Sequence, residues 1–251
     1  NLTITLKDGT ATNLVATEKT ANAENNNTAI RIVNGGGGSI TVGDSSTLNL
    51  NVGHGRGVLM GQTYTSTAVD ANQESLKKNN ATTFTVGDNA TFNFYGRDGV
   101  YMGNNSSFVA SANSKVNFQN YGNGIAFDMG NSSLFQVLSN AVVNLQSDGK
   151  SSSGSYAYGN YVGLNENGQI RVEKNGTLIV KMQNRGANYY NDTVAINSTG
   201  SSSQAIFYVG ENATLDIQDD NTDYYAELIS VPLGSGTTHK YVFDNVRYVN
   251  L

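Results

Sequence analysis

Apolar residues recur in this chain as pairs separated by one residue, and the pairs return in a fixed order. Ile40-Thr41-Val42-Gly43-Asp44 and Phe84-Thr85-Val86-Gly87-Asp88 are near copies, and extending the match gives six copies with identical internal spacing. Their first column is Ile40, Phe84, Phe108, Phe135, Ile170 and Phe207. Two residues later come Val42, Val86, Ala110, Val137, Val172 and Val209. Apolar residues at i and i+2 share one face of a strand, with the residue between them turned outward. Three positions further stand Ser45, Asn89, Asn113, Asn140, Asn175 and Asn212, each followed by a small residue. Asn tolerates the left-handed backbone of a tight corner, so this column predicts a turn that ends the first strand. A second pair follows it: Leu48/Leu50, Phe92/Phe94, Val116/Phe118, Val143/Leu145, Leu178/Val180 and Leu215/Ile217.

Most copies continue into a third apolar segment. Gly57-Val58-Leu59-Met60-Gly61 and Gly99-Val100-Tyr101-Met102-Gly103 are the clearest, Ile125 to Gly130 is next, and weaker ones surround Val162, Ile196 and Ile229. Units that cannot bury an apolar face alone do so by stacking, so the core grows along an axis. The expected fold is all-β: a right-handed parallel β-helix (β-solenoid) of about eight rungs of three short strands, a single domain over 1–251. At ~4.8 Å per rung the rod would be roughly 38 Å long. Tyr241, Phe243, Val249 and Leu251 read as a degraded last copy without its Asn, and Ile4 and Leu6 as the tail of an earlier one. Stacked corner Asn side chains are expected to hydrogen-bond between rungs. Met60, Met102 and Met129 are expected to fill the core.

Composition agrees with many tight turns: 28 Gly against one Pro, no Cys and no Trp. The net charge of −5 argues against nucleic acid or an anionic membrane surface as partner, since both select a basic face. Absence of Cys removes disulfide frameworks and thiolate metal sites. No apolar run is long enough for a membrane-spanning helix. The abrupt start at Asn1-Leu2-Thr3-Ile4, with neither signal peptide nor C-terminal anchor, reads as a segment of a longer protein.

Core columns build the scaffold, so function is expected in the surplus residues. The tightest step between copies is 24 residues (Phe92 to Val116) and the longest is 44 (Leu48 to Phe92). The surplus falls in polar stretches at Lys7–Thr28, Gln62–Thr82, Gln146–Tyr158, Lys181–Asp192 and Gln218–Tyr225. In stacked-repeat proteins such insertions gather on one side and form the binding face. Tyr156 and Tyr158, Tyr189 and Tyr190, and Tyr224 and Tyr225 fall between the second and third strands of consecutive copies. Tyr95 and Tyr121 occupy the same corner of earlier ones. A Tyr ring offers a flat apolar face to a sugar and a hydroxyl beside it; its ordinary role is to pack a loop onto the rod. Arg56, Arg97 and Arg185 near that corner can pair with uronate, sialate or sulfate, or stand as solvated charge. Because the chain is acidic, binding of acidic glycans is expected to strengthen as pH falls.

Catalytic chemistry finds little support. Gly53-His54-Gly55 and Asp219-Asp220-Asn221-Thr222-Asp223 are similar to motif fragments of polygalacturonases, but in reversed order. The register separates them by about five rungs, ~24 Å, whereas paired glycosidase carboxylates lie within ~10 Å. Asp44 and Asp88 form a ladder between rungs, which reads as turn chemistry with calcium binding the lesser alternative. No catalytic residue, metal ligand or cofactor is therefore expected.

The units Val-Gly-Asp-Asn-Ala-Thr-Phe-Asn-Phe (Val86–Phe94) and Val-Gly-Glu-Asn-Ala-Thr-Leu-Asp-Ile (Val209–Ile217) complete the pattern. In these units the chain resembles the pectate-lyase-like adhesive domains of Gram-positive surface proteins, especially the binding regions of serine-rich-repeat adhesins of lactobacilli. The resemblance implies a secreted, cell-wall-anchored protein that binds extracellular glycans or glycoproteins, mucin-like or plant-type, without turning them over. A polysaccharide lyase and a self-associating biofilm protein are the alternatives. These motifs belong to the scaffold and specify fold better than ligand.

Overall fold

The computed structural model describes residues 2–15, 28–33, 38–62, 81–120, 126–147, 160–164, 167–182, 193–198, 204–219, 226–230 and 240–250. Within them the chain is strand and turn throughout. The first rung holds β1 (Leu2–Leu6), β2 (Ala11–Val15) and β3 (Thr28–Val33). The second and third each pair a short strand with a long one: β4 (Gly38–Val42) with β5 (Thr47–Gln62), then β6 (Thr82–Val86) with β7 (Thr91–Met102). The fourth contains β8 (Ser107–Ala110), β9 (Lys115–Asn120) and β10 (Phe127–Met129). The fifth contains β11 (Leu134–Val137), β12 (Val142–Ser147) and β13 (Asn160–Leu164). β14 (Gln169–Val172), β15 (Thr177–Met182) and β16 (Thr193–Ser198) form the sixth. β17 (Ile206–Val209), β18 (Thr214–Asp219) and β19 (Ala226–Ser230) form the seventh, and β20 (Lys240–Phe243) and β21 (Tyr248–Asn250) the eighth.

The first strands pair in parallel into an eight-stranded sheet, β1-β4-β6-β8-β11-β14-β17-β20. Second and third strands form one 13-stranded sheet, because β5 and β7 run from one face into the next without a break. Like columns stack: Ile40 pairs with Phe84, Phe84 with Phe108 and Phe108 with Phe135. This is the parallel β-solenoid that the repeat predicts, with its rung count. The apolar pairs point inward, and Phe108 meets Phe84 at 5.3 Å, Phe135 at 5.4 Å and Phe127 at 4.5 Å between ring centroids. Met60, Met102 and Met129 are buried core residues, as expected.

The corner column adopts the backbone its residue types favour. Ser45, Asn89, Asn113, Asn140, Asn175 and Asn212 have φ between 54° and 60°. Their N–H groups are used between rungs: Asn89 donates to the Ala112 carbonyl at 3.0 Å and Asn113 to the Ser139 carbonyl at 3.0 Å. The Asp ladder is turn chemistry. Asp8 Oδ1 accepts the Asp44 N–H at 3.0 Å, Asp44 Oδ1 the Asp88 N–H at 2.8 Å, and Asp88 Oδ1 the Ala112 N–H at 3.1 Å. Glycine precedes the ladder because a Cβ at Gly87 would lie 2.5 Å from Asp44 Oδ1.

Five features differ from the sequence reading. Ile4 and Leu6 pair with Ile40 and Val42, so they open the first rung as its first strand and are not a tail. The stretch Lys7–Thr28 is not all loop: β2 pairs with Thr47–Asn51, and Thr28 opens β3, both templated on the long β5. The last copy holds Val246 in the corner column, so it lacks the column Asn as expected, but its left-handed residue is Asn245 one position earlier, with φ 45° and a carbonyl that accepts the Asn212 N–H at 2.9 Å. Second and third strands are continuous in rungs two and three; the chain bends there at Gly53, whose φ is 54°, with a register shift against Gly96 in place of a turn. Finally, a second left-handed column closes each of three rungs at Asn105, Ser132 and Asn167, with φ of 56° to 57°. Its Gly103-Asn104-Asn105-Ser106 and Gly130-Asn131-Ser132-Ser133 repeat the pattern of the first corner, including Asn104 Oδ1 accepting the Asn131 N–H at 2.8 Å.

Candidate functional site

The residue between the two inward positions of each second strand points outward. In rungs one to five it is Asn13, Asn49, Asn93, Asn117 and Asn144, and it becomes Ile179 in rung six. Parallel in-register pairing brings these amides together. Asn49 Nδ2 donates to Asn13 Oδ1 at 2.7 Å, Asn93 Nδ2 to Asn49 Oδ1 at 2.8 Å, and Asn117 Nδ2 to Asn93 Oδ1 at 2.8 Å. All donate toward the earlier rung, so the bonds polarise one another in one direction. The expected Asn ladder thus exists mainly on the strand face. At the corner, one such contact is present, Asn140 Nδ2 to Asn113 Oδ1 at 3.2 Å. Beyond Asn117 the ladder stops, and Asn144 Oδ1 has no hydrogen-bond partner.

The next outward column carries Asn51, Tyr95, Gln119 and Gln146 in rungs two to five. The two columns line a groove of about 340 Å³ across β5, β7, β9 and β12. Tyr95 stands in it 43% exposed, a large ring in the middle of a strand. A primary amide has two N–H donors and an oxygen with two lone pairs. The ladder consumes one of each per interior Asn, which leaves a donor and an acceptor side by side at every rung.

Of the residues singled out by sequence, Tyr95 is the one the structure places in this groove. It lies within β7 and not at a corner, because the second and third strands are continuous there. Arg56 and Arg97 lie on β5 and β7, with their side chains outside what is described. Tyr121, Tyr156, Tyr158, Arg185, Tyr189, Tyr190, Tyr224 and Tyr225 lie outside the described residues. The amides of Asn49, Asn93, Asn117 and Gln119 were missed. The signal for the three Asn lay in the aligned copies, where the residue between the second apolar pair is Asn in four of six; Gln119 belongs to the next outward column, whose residue types vary.

His54 lies on β5 in the second rung and Asp219 ends β18 in the seventh, five strands away along the sheet. Among the described residues no three His, Cys, Asp or Glu cluster in a way that could hold a metal ion. A charged cluster does sit on the first face, where Arg171 Nε donates to Glu173 Oε1 at 2.7 Å and Gln136 Nε2 donates to the same oxygen at 2.9 Å. The Arg171 guanidinium also lies 4.5 Å from the centre of the Tyr208 ring. Burial pushes the Glu173 carboxyl up, but these hydrogen bonds and the Arg171 charge outweigh it and hold its pKa below the ordinary glutamate value. Comparison with family models, curated proteins and solved structures finds no match to this chain.

Proposed function

We propose that this chain is the ligand-binding region of a bacterial cell-surface adhesin, and that it holds extracellular glycans or glycoproteins on the loop-decorated solenoid without catalysis. The observation that supports this reading is the amide groove with Tyr95 exposed in it. Paired amide donors and acceptors suit the vicinal hydroxyls of a sugar, and a solvent-facing aromatic ring suits the apolar face of a pyranose. Lyase chemistry gains nothing from the Asp ladder, whose Oδ1 atoms each accept a backbone N–H.

The test is a glycan array followed by titration of the strongest hits. Tyr95→Ala is expected to weaken binding about tenfold, the order of a lost aromatic contact, with an unchanged unfolding midpoint. Polygalacturonate with calcium is expected to give a flat ultraviolet trace, with no unsaturated product. An array with no hits, or a rising trace, would reject the proposal.

A further inference from the structure

We infer that the amide groove selects an uncharged, regularly repeating glycan laid along the rod axis; this rests on the glycan-binding reading above and narrows it. The first observation is the absence of charge. Among the described residues that line the groove there is no carboxylate, ammonium or guanidinium, only amides, one phenol and strand backbone. A uronate, sialate or sulfate is held more strongly by a cation within hydrogen-bond distance than by neutral donors, and a bidentate guanidinium serves best. Lys181 continues the column, but it stands one rung beyond Gln146. A second lysine, Lys115, is exposed on the outward face of β9 two residues before Asn117, and it too stands outside the groove lining.

The second observation is periodicity. Asn49, Asn93 and Asn117 present the same amide in the same orientation, bonded at 2.8 Å from rung to rung. A surface that repeats every ~4.8 Å favours a ligand whose hydroxyls repeat at a similar interval, and three rung steps span ~14 Å, about three to four pyranose units. The third is Tyr95, flanked in its column by Asn51 and Gln119. One sugar of the chain rests on the ring while its neighbours meet amides above and below.

The experiment is calorimetric titration of the whole chain with galactotetraose, cellotetraose and mannotetraose, against tetragalacturonate, at about pH 5 and about pH 8. Two variants accompany it, Gln119→Lys and Gln119→Glu, at an exposed strand position in the groove. For a neutral ligand both variants remove the same amide, so both weaken binding, by about 3- to 10-fold. Affinity for the neutral tetrasaccharide should also change less than about twofold between the two pH values, because neither the ligand nor the groove lining carries a carboxylate, ammonium or imidazole. Preference for tetragalacturonate, with Gln119→Lys strengthening and Gln119→Glu weakening it, would overturn the inference and leave the glycan-binding reading standing. Neutral binding that neither variant alters would also overturn it, by placing the ligand elsewhere. Failure of all four oligosaccharides to bind, with the circular dichroism of the fold intact, would overturn both.

Discussion

At Asn89 the backbone sits at φ 57°, where a Cβ crowds the following carbonyl. For most L-residues this conformation costs about 1–2 kcal/mol, and Asn is among the few that visit it routinely. Asn89→Ala is therefore expected to destabilise the chain by about 1 kcal/mol in urea unfolding. Asn89→Gly should cost less, since glycine removes the strain and adds only backbone entropy, about 0.5–1 kcal/mol. The same reasoning has a converse at Ser45, the one non-Asn member of the column, whose φ is 55°. Ser45→Asn is expected to raise the unfolding midpoint; a lowered midpoint would show that the corner is set by its neighbours and not by its own residue. This corner was legible in the sequence because one requirement recurs six times at fixed spacing. The second corner obeys the same requirement at Asn105, Ser132 and Asn167, each three residues before the first column at Phe108, Phe135 and Ile170, but it recurs in three rungs only and carries Ser in one of them.

Strands add what single residues lack, namely alignment between rungs. The ladder on the second strands ends at Asn117, and one rung further Asn144 faces Ile179 on β15 with its Oδ1 left without a partner. Because every bond in the ladder donates toward the earlier rung, an Asn at 179 would aim its Nδ2 at that oxygen. Ile179→Asn is expected to stabilise the chain by about 0.5–1.5 kcal/mol, the net worth of one hydrogen bond to a previously unsatisfied atom. The measurement is the urea midpoint, and an outcome at or below wild type would mean that lost apolar cover at 179 outweighs the bond. On the first face, the lowered Glu173 pKa fixes a pH dependence. A carboxyl with a depressed folded-state pKa contributes stability above its ordinary value, and that contribution is lost as pH falls through the lower one. Glu173→Gln should therefore destabilise at about pH 7, and its difference from wild type should shrink as pH falls below the ordinary glutamate range. A difference that persists unchanged at low pH would rule out the ionised carboxylate as its source. The column of outward Asn was already aligned by the spacing of the copies, but Asn is frequent throughout the chain, so bonding between these amides was not distinguishable from a row of solvated positions. β2 was hidden for a related reason. Ala-Thr-Asn-Leu-Val has weak alternation of its own and is a strand because Thr47–Asn51 of β5 templates it.

For the rod as a whole, the consequence of stacking is that each rung touches only the rungs on either side, so stability should vary along the axis. The interior rungs have neighbours on both sides and the aromatic stack of Phe84, Phe108, Phe127 and Phe135 between them. In the eighth rung the same columns stand open: Tyr241, Phe243 and Val249 are 45%, 46% and 39% exposed, where their partners Phe207, Val209 and Leu215 are 4%, 0% and 0%. Amide hydrogen exchange read by mass spectrometry should therefore be slowest in β8, β9 and β11 and at least about tenfold faster in β20 and β21. Phe108→Leu sharpens the test, because it removes ring contacts from rungs three to five alone. Under nearest-neighbour coupling it should accelerate exchange in β6, β8 and β11 and leave β20 at its wild-type rate. If the variant instead accelerates every strand by one common factor, the rungs unfold as a single cooperative unit, and the rod behaves as one core despite being assembled from repeats.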